Sequence, residues 1–406
     1  MQAKNAVSFV SQHILQKYDK RSDELKILQI IDVYKTGGAE KVFDAFKAWA
    51  EKNGIESECL LLYKSDFRDD FSYLLNKNAF SACGKIVQTV VAVRKLRKKV
   101  RFSGVERIVS FLDRSNIISI CACAKSSAKV TVTVHNPPTI QYKKLGIMRY
   151  AVFMILRHFY NKDFVSVVAV SNQVKDSLGK IGIKNVSVVY NPLSEMSERS
   201  GISQKTVPET GDKIPSLQNP YFISVGRLSY QKAHWKMLKA LSLLKSEYGK
   251  NAFLVIAGEG ELAEKLHKLS VALGLEGQVI FTGFVKNPSD LIKNAFCMLF
   301  SSFYEGFPVT VLESFSYGIP VIGSRVALPE EIRAEISFPQ FYYDNFCTKE
   351  NFDADFFEPD DYELAKVMSR ALQEKEKLMQ IAEIGKNWVE KNCSQENFTR
   401  YLEWKK

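Results

Sequence analysis

The sequence predicts an α/β protein of two domains, each built on a doubly wound parallel β-sheet. Short, nearly continuous apolar runs alternate with amphipathic segments of helix length, a pattern typical of parallel strands covered by helices on both faces. The alternation stops once, in a polar stretch rich in Ser, Gly and Pro around 193–219, and then begins again. A chain of 406 residues is long enough for two or three domains of ordinary size.

The order of these segments predicts the domain boundaries and the elements. We expect an N-terminal extension over 1–24, a Rossmann-like domain over 25–195, a linker or surface loop over 196–219, a second Rossmann-like domain over 220–385 and a C-terminal helical segment over 386–406. The first domain should contain strands at 26–32, 58–63, 107–112, 129–134 and 165–170, and helices near 39–52, 85–100, 115–125, 142–160 and 172–181. The second should contain strands at 221–225, 252–257, 278–281, 296–300 and 320–323, and helices at 231–249 and 262–273. Such sheets bind ligands outside the carboxyl ends of their strands, so we expect a site in the cleft between the two domains.

Composition narrows the class of protein and of partner. With 46% hydrophobic and 25% charged residues, the chain is neither disordered nor fibrous. Lys and Arg exceed Asp and Glu by 11, which suggests an anionic partner: nucleic acid, a membrane surface or a phosphorylated ligand. Seven scattered cysteines favour free thiols in a reducing compartment. Since no secretory signal is visible and no apolar stretch reaches the ~18 residues of a membrane span, we expect a cytoplasmic protein or one attached to a membrane from outside.

The segment from Ser302 to Glu313 is the most informative part of the chain. It follows a predicted strand and leads into a helix that Pro308 is suited to begin. Gly306 permits a sharp turn close to a ligand, and the amide groups of the first helical turn form an anion site. Glu305 and Glu313 flank this corner, and carboxylates accept hydrogen bonds from hydroxyls. The combination indicates a ligand that carries phosphate and polyol together, such as a sugar nucleotide; a solvated glutamate beside an ordinary helix start is the alternative.

Two further strand ends carry cations or paired glycines. After the strand at 221–225, Gly226 allows a turn, and Arg227 and Lys232 offer charge-assisted hydrogen bonds to a departing diphosphate. After the first strand, Gly37 and Gly38 permit close approach of a diphosphate or a sugar. Surface cations and plain turn glycines are the respective alternatives.

His135 lies at the carboxyl end of the strand at 129–134, followed by two prolines that set the bend. This position faces the expected cleft, so His135 is better placed for function than the other four histidines. A structural, hydrogen-bonded histidine is the alternative.

Two further motifs resemble a dinucleotide-binding site and a metal-binding site, but neither function is expected. Gly258 and Gly260 follow a strand, but Ala263 occupies the third glycine position of a dinucleotide fingerprint, so NAD binding is not expected. Asp353 and Asp355 imitate a metal-binding Asp-x-Asp but lie in a polar stretch typical of a surface loop.

Taken together, these motifs resemble glycosyltransferase family 4, which comprises retaining enzymes of the GT-B fold. The likeness covers most of the chain from about Leu25, and its most specific part is the pair Glu305 and Glu313 with Gly-Phe-Pro between them. Similar positions also occur at 37–40, 110–113, 170–172, 190–192, 226–232, 257–261 and 281–284. Ala233, where glycine is common, and the unusual loop 324–330 depart from the family pattern.

The resemblance implies a role for each candidate residue. Arg227 and Lys232 would grip the donor diphosphate, Glu313 would bind the ribose hydroxyls, and Glu305 would contact the transferred sugar. The backbone of Gly306, Phe307, Pro308 and Val309 would lie beside the sugar, Gly37 and Gly38 would close over the donor, and His135 would line the sugar site. The resemblance also implies a C-terminal helix, near 396–405, that crosses back onto the first domain, and transfer with retention and without a metal or other cofactor.

The basic residues are clustered in the first domain, over 93–101 and 141–157. The second cluster mixes Tyr, Phe and Met with cations, as interfacial helices do, so we expect peripheral binding to the inner face of an anionic cytoplasmic membrane. A solvated helix face is the alternative. Nucleic-acid binding is disfavoured because no known binding motif accompanies the cations.

The function expected from the sequence is therefore transfer of a sugar, most simply from a UDP-linked donor, to a glycan or a polyprenyl-diphosphate-linked glycolipid in surface-polysaccharide or other glycoconjugate biosynthesis. The alternatives are another GT-B enzyme, such as a nucleotide-sugar epimerase, and a non-catalytic scaffold that binds sugar nucleotides.

Overall fold

The computed structural model describes residues 25–34, 37–65, 70–76, 82–193, 221–325, 328–336, 338–343 and 362–403. The chain divides into two compact units, the first over 1–195 and 393–406 and the second over 196–392. The predicted N-terminal extension over 1–24, the predicted linker over 196–219, and Asp353 and Asp355 lie outside the described residues.

The first unit contains a parallel sheet of seven strands in the order β3-β2-β1-β4-β5-β6-β7. These are β1 Lys26–Ile31, β2 Glu56–Tyr63, β3 Ser72–Leu75, β4 Arg107–Phe111, β5 Lys129–Val134, β6 Val165–Ala169 and β7 Val186–Val188. Its helices are α1 Gly38–Lys52, α2 Ala82–Ser103, α3 Asp113–Cys123, α4 Pro138–Gln141, α5 Arg149–Tyr160 and α6 Asn172–Lys180, with a 3₁₀ helix at Lys143–Met148. The central strands are buried on both faces, which explains their continuous apolar sequences.

The second unit contains a parallel sheet of six strands in the order β10-β9-β8-β11-β12-β13. These are β8 Tyr221–Val225, β9 Phe253–Ala257, β10 Val279–Gly283, β11 Cys297–Phe300, β12 Val321–Ser324 and β13 Tyr342–Tyr343. Its helices are α7 His234–Ser246, α8 Ala263–Ala272, α9 Ser289–Lys293, α10 Val309–Ser316, α11 Glu330–Arg333, α12 Tyr362–Gln373 and α13 Lys375–Asn392, with 3₁₀ helices at Tyr230–Lys232 and Pro339–Phe341. The predicted fold class, α/β with two Rossmann-like parallel sheets, is confirmed.

The end of the chain belongs to the first unit. A 3₁₀ helix at Gln395–Phe398 leads into α14 Thr399–Leu402, and the rings of Phe398 and Tyr401 pack on Phe46 of α1. The segment 386–392, by contrast, ends α13 in the second unit. The chain changes unit at Cys393. Ser394 then caps the new segment, because its hydroxyl accepts a hydrogen bond from the backbone N–H of Glu396 at 3.0 Å.

Several elements differ from the predicted ones for local reasons. The strands β3, β7 and β13 have only four, three and two residues, too few to show a pattern. The predicted helix over 142–160 is broken because Gly146 adopts φ +53°, so that α5 begins at Arg149. The predicted helix over 231–249 begins at His234, because Ala233 is held at φ +50°.

The strand order of each sheet reverses at one place. In the first sheet this place lies between β1 and β4, and in the second between β8 and β11. Neighbouring connections there leave the sheet toward opposite faces, and open a crevice at the carboxyl ends of the two strands. The loops after these four strands are therefore where each unit can hold a ligand.

Candidate functional site

The two predicted motifs of the second unit meet at its strand-order reversal. The loop after β8 and the loop after β11 are joined by hydrogen bonds. The backbone N–H of Phe303 donates to the Gln231 carbonyl at 2.9 Å, and the Gln231 side-chain amide donates to the Tyr304 carbonyl at 2.8 Å. The Ser301 hydroxyl donates to the Lys232 carbonyl at 2.8 Å. Residues some seventy positions apart thus form one rigid corner.

An ion pair links the two loops through their predicted functional side chains. The Lys232 ammonium lies 2.6 Å from Oε1 of Glu305, and the two side chains are only 19% and 10% exposed. The same ammonium lies 5.1 Å from the centre of the Phe300 ring. The sequence motifs placed both residues at strand ends, but their direct contact was not predicted.

A third loop braces this corner and explains the two glycines that resembled a dinucleotide fingerprint. The backbone N–H of Leu228 donates to the Glu259 carbonyl at 2.8 Å. A Cβ at Gly258 would lie within 3.0 Å of the Gly226 carbonyl, and one at Gly260 within 3.0 Å of the Leu228 carbonyl. These glycines permit close contact between two loops. The braced loop presents Arg227 with its side chain exposed to solvent.

The helix α10 begins directly after the glutamate-bearing loop. Glu305, Gly306, Phe307, Pro308 and Val309 are all buried. Pro308 lies just before the first helical residue and has no N–H, so it offers no donor beside the amides of Gly306, Phe307 and Val309. The Phe307 ring lies 5.9 Å from that of Trp388, which anchors the loop. Glu313 lies one turn further along α10 and is half-buried.

The remaining predicted residues lie in the first unit. Gly37, at φ −114°, immediately precedes α1, and the exposed Gly38 is its first residue. A Cβ at Gly37 would collide with the carboxylate of Glu40, which folds back over the start of the helix. Both glycines follow β1, at the strand-order reversal of the first sheet.

His135 follows β5, and its ring is held by two contacts. Its Nε2 lies 2.9 Å from the Thr133 hydroxyl oxygen, and its ring stacks on Phe111 with 5.8 Å between the ring centres. The side chain is partly buried, and desolvation lowers the pKa of His135 from its usual value near 6.5 to about 4. The imidazole is therefore neutral at pH 7 and suited to exchanging hydrogen bonds with hydroxyls.

Two carboxylates beside the same reversal were not predicted as functional. Asp32 follows β1 and accepts a hydrogen bond from the backbone N–H of Ser115 at 2.7 Å. Burial raises the pKa of Asp32 from 3.8 to about 6. Asp113 follows β4 and accepts hydrogen bonds from the hydroxyls of Tyr142 at 2.5 Å and Tyr160 at 3.2 Å. The signal in the sequence was an acidic residue directly after each apolar strand.

Within the described ranges, no three His, Cys, Asp or Glu side chains converge in a way that could hold a metal ion. In the same ranges, no helix is both long and apolar enough to cross a membrane. The five cysteines whose side chains are described, Cys59, Cys121, Cys123, Cys297 and Cys393, are free thiols.

Two family models match the chain, one in each half. The model described as Glycosyltransferase Family 4 matches residues 36–195, and the model described as Glycosyl transferases group 1 matches residues 210–388. Together they take in most of the sequence, and they support the resemblance drawn from the motifs.

Relatives of known name are similar to parts of the chain. The alpha-1,4-N-acetyl-D-galactosaminyltransferase of Campylobacter jejuni named for a GalNAc-GalNAc-diNAcBac-PP-undecaprenol acceptor is 26% identical over 318 residues, 74% of this chain and 79% of that protein. The lipopolysaccharide 1,6-galactosyltransferase of Salmonella typhimurium is 35% identical over 165 residues, 39% of this chain and 42% of that protein. The match thus spans less than half of the Salmonella typhimurium protein, and it spans 57% and 60% of the length of two further relatives.

A solved structure shows the same fold. HepE of Anabaena, in complex with UDP and glucose, matches 93% of this chain and 98% of its own with a TM-score of 0.69 at 16% identity. At that identity the likeness concerns the fold alone.

Proposed function

Because the chain belongs to glycosyltransferase family 4, we propose that it transfers a sugar from a UDP-linked donor to a glycan or a polyprenyl-diphosphate-linked glycolipid, with retention of anomeric configuration. The reaction would serve the assembly of surface polysaccharides or related glycoconjugates. The observation that carries the proposal is the corner of the second unit, where the Lys232–Glu305 pair joins two loops at the strand-order reversal.

The chemistry of this corner suits a nucleoside diphosphate leaving group. Arg227 is exposed, so it can contact the ligand from the solvent side. Lys232 is mostly buried, so its ammonium group is already partly desolvated before the ligand binds. Hydrogen bonds from such cations strengthen as negative charge develops on the departing diphosphate. Glu305 holds the ammonium in place before the donor binds, and its carboxylate can accept hydrogen bonds from sugar hydroxyls. Glu313 would take the ribose hydroxyls, as the family resemblance implies.

Retention would follow from attack on the same face as the departing diphosphate, whose oxygen would take the acceptor's proton. No step in this scheme needs a metal ion, and a metal-free reaction stays a prediction. The names of the similar proteins support the substrate classes: the Campylobacter jejuni relative is named for a PP-undecaprenol-linked acceptor, and the HepE structure contains UDP and glucose.

Activity assays with matched variants test the site. Glu305→Ala and Lys232→Ala should each abolish most transfer or donor hydrolysis. Lys268→Ala is the control, because Lys268 forms an ion pair of the same 2.6 Å length with Glu264 on an exposed helix face. Wild-type rates in both site variants would contradict the assignment.

The products decide between the proposed function and its alternatives. NMR of the product should show the anomeric configuration of the donor, and inversion would exclude the mechanism. Release of an epimerised sugar without an acceptor would indicate an epimerase, and tight donor binding without turnover would indicate a scaffold. A thermal-shift panel of UDP-, GDP- and dTDP-sugars identifies the base, since a ligand that binds only the folded state raises the melting temperature.

We further propose that the first unit binds an anionic membrane surface, where a lipid-linked acceptor would reside, at the inner face of the cytoplasmic membrane. Helix α5 and the 3₁₀ helix before it expose apolar side chains among cations. Ile147 is 83% exposed, Met154 is 73% exposed and Met148 is 64% exposed. The nearby cations are Lys143, Lys144, Arg149 and Arg157. Exposed apolar groups rimmed by cations favour the boundary between lipid headgroups and acyl chains.

The second basic cluster lies in the same helical layer. Helix α2 contacts α3, and α3 contacts α5. Helix α2 also exposes apolar side chains, among them Phe102 at 74% and Ile86 at 66%. The basic clusters at 93–101 and 141–157 therefore belong to one layer of helices. This supports a single membrane-facing surface.

Flotation with vesicles tests this surface. The wild-type protein should float with vesicles containing anionic lipid and much less with neutral vesicles. Ile147→Ser with Met154→Ser should reduce flotation, whereas Val271→Ser, a similarly exposed apolar residue of the second unit, should not. Absence of flotation with both lipid types would end the proposal.

A further inference from the structure

Among the residues that the structure describes, the Thr133 hydroxyl is the polar group that contacts the His135 ring. Thr133 and His135 are two positions apart at the end of β5, so their side chains leave the same face of the sheet. Thr133 is fully buried, and its Oγ1 lies 3.0 Å from the Ser110 carbonyl and 2.9 Å from Nε2 of His135.

Counting protons assigns the direction of both hydrogen bonds. A carbonyl only accepts, so the single hydroxyl proton of Thr133 is donated to Ser110. The Thr133 oxygen must then accept from His135, which places a proton on Nε2. A neutral imidazole carries one N–H, so Nδ1 keeps its lone pair and is a hydrogen-bond acceptor.

The arrangement is held by the sheet rather than by flexible groups. Ser110 lies in β4, and the register pairs its neighbour Phe111 with Thr133. The Phe111 ring also stacks on the imidazole, so one strand positions both the hydroxyl and the ring plane. Desolvation lowers the pKa of His135 to about 4, so the ring is neutral at pH 7 and carries one N–H.

We propose that Thr133 is a positioning residue that holds His135 as an Nδ1 hydrogen-bond acceptor, and thereby selects donor sugars with a hydroxyl at the position that meets the ring. This inference rests on the proposed function. A hydroxyl donates to the Nδ1 lone pair, whereas a hydrogen atom or a carboxylate at that position leaves it unpaired or repels it. A site that bonds a hydroxyl discriminates against analogues that lack one, by about tenfold for one neutral hydrogen bond.

Side-chain NMR of the ligand-free protein tests the tautomer directly. In protein with ¹⁵N-labelled histidine, the His135 signals are assigned by their absence from a His135→Asn variant. The wild-type protein should show a protonated Nε2 and an unprotonated Nδ1. Thr133→Val should give a mixture of tautomers, and Thr133→Ser should restore the wild-type spectrum. A proton on Nδ1 in the wild type, or no change in Thr133→Val, would overturn the proposal.

A matched control separates positioning from fold stability. Thr131 is also buried in β5, and its hydroxyl donates to the Tyr401 carbonyl at 2.8 Å without contacting His135. Thr131→Val therefore removes the same kind of bond and should leave the histidine spectrum unchanged.

Kinetics with deoxy analogues of the UDP-hexose that is turned over test the selection. One deoxy analogue, the one that lacks the sugar hydroxyl facing His135, should have a kcat/KM with the wild type about tenfold lower than that of the intact donor, the factor for one oriented neutral hydrogen bond. Thr133→Val should lose about the same factor with the intact donor and little more with that analogue. Independent, additive losses would refute the selection. If no UDP-hexose is turned over, the proposed function fails, while the NMR result still decides the role of Thr133.

Discussion

The Lys232–Glu305 pair should show an unusual pattern in which a second substitution rescues the first. Lys232→Met leaves a carboxylate that is 10% exposed without its cation, and we expect this to lower the free energy of unfolding by about 3 kcal/mol, the low end for a buried pair. Glu305→Gln should cost only about 1 kcal/mol, because the ammonium keeps the Phe300 ring and a flexible stem that can reach water. The double variant carries no unpaired charge. It should lose about 1 kcal/mol, and so be about 2 kcal/mol more stable than Lys232→Met alone.

Urea unfolding of the four proteins measures this cycle, with tryptophan fluorescence as the signal. Trp235 lies beside the site, with its ring 5.4 Å from that of Tyr230 and 5.9 Å from that of Phe303. The exposed pair Lys268 and Glu264 is the control, since solvent screening should leave its coupling far smaller. A double variant no more stable than Lys232→Met would show that the carboxylate does not depend on its cation, and would refute the reasoning.

Two further predictions concern the backbone and the pH dependence. Gly258 has a φ of +153°, and Gly258→Ala would place a Cβ against the Gly226 carbonyl, so it should lower the free energy of unfolding by more than about 3 kcal/mol. Gly249 has a φ of +59° with open space around it, so Gly249→Ala should lower the free energy of unfolding by only about 1 kcal/mol. Equal losses would contradict the loop contact. For Asp32, the folded-state pKa of about 6 exceeds the ordinary 3.8, so its protonated form stabilises the fold at low pH, and about 2 to 3 kcal/mol is lost as the pH rises between these values. Asp32→Asn should therefore gain stability relative to the wild type between pH 4 and pH 7.5 in urea titrations; a constant difference would show that Asp32 titrates normally.

Local patterns in the sequence predicted most of the fold. Largely apolar runs such as 129–134 and 221–225 became buried parallel strands, because a strand covered on both faces buries its side chains on both, and a polar one such as Thr133 is hydrogen-bonded to a backbone carbonyl. Short strands such as β13 escaped prediction, since two residues show no periodicity. The break at Gly146 escaped as well, because glycine is also compatible with a continuous helix.

The candidate site was predicted as a set of strand ends rather than as a set of contacts. Arg227, Lys232 and Glu305 follow strands that were visible in the sequence, and the parallel topology places such ends at one edge. The two carboxylates Asp32 and Asp113 were passed over as functional candidates, because one acidic residue after a strand does not reveal how deeply it will be buried.

The sequence by itself determined the fold class, the family and the residue types at each strand end, because these depend on periodicity and on short motifs. Only the tertiary structure decided that Lys232 pairs with Glu305, and that the Thr133 hydroxyl sets the protonation of His135. The physical reason is that an ion pair or a hydrogen bond forms only at a separation of about 3 Å, and Lys232 and Glu305, like Thr133 and Ser110, lie far apart in the chain. Such distances are set by strand order and register, which no local pattern contains.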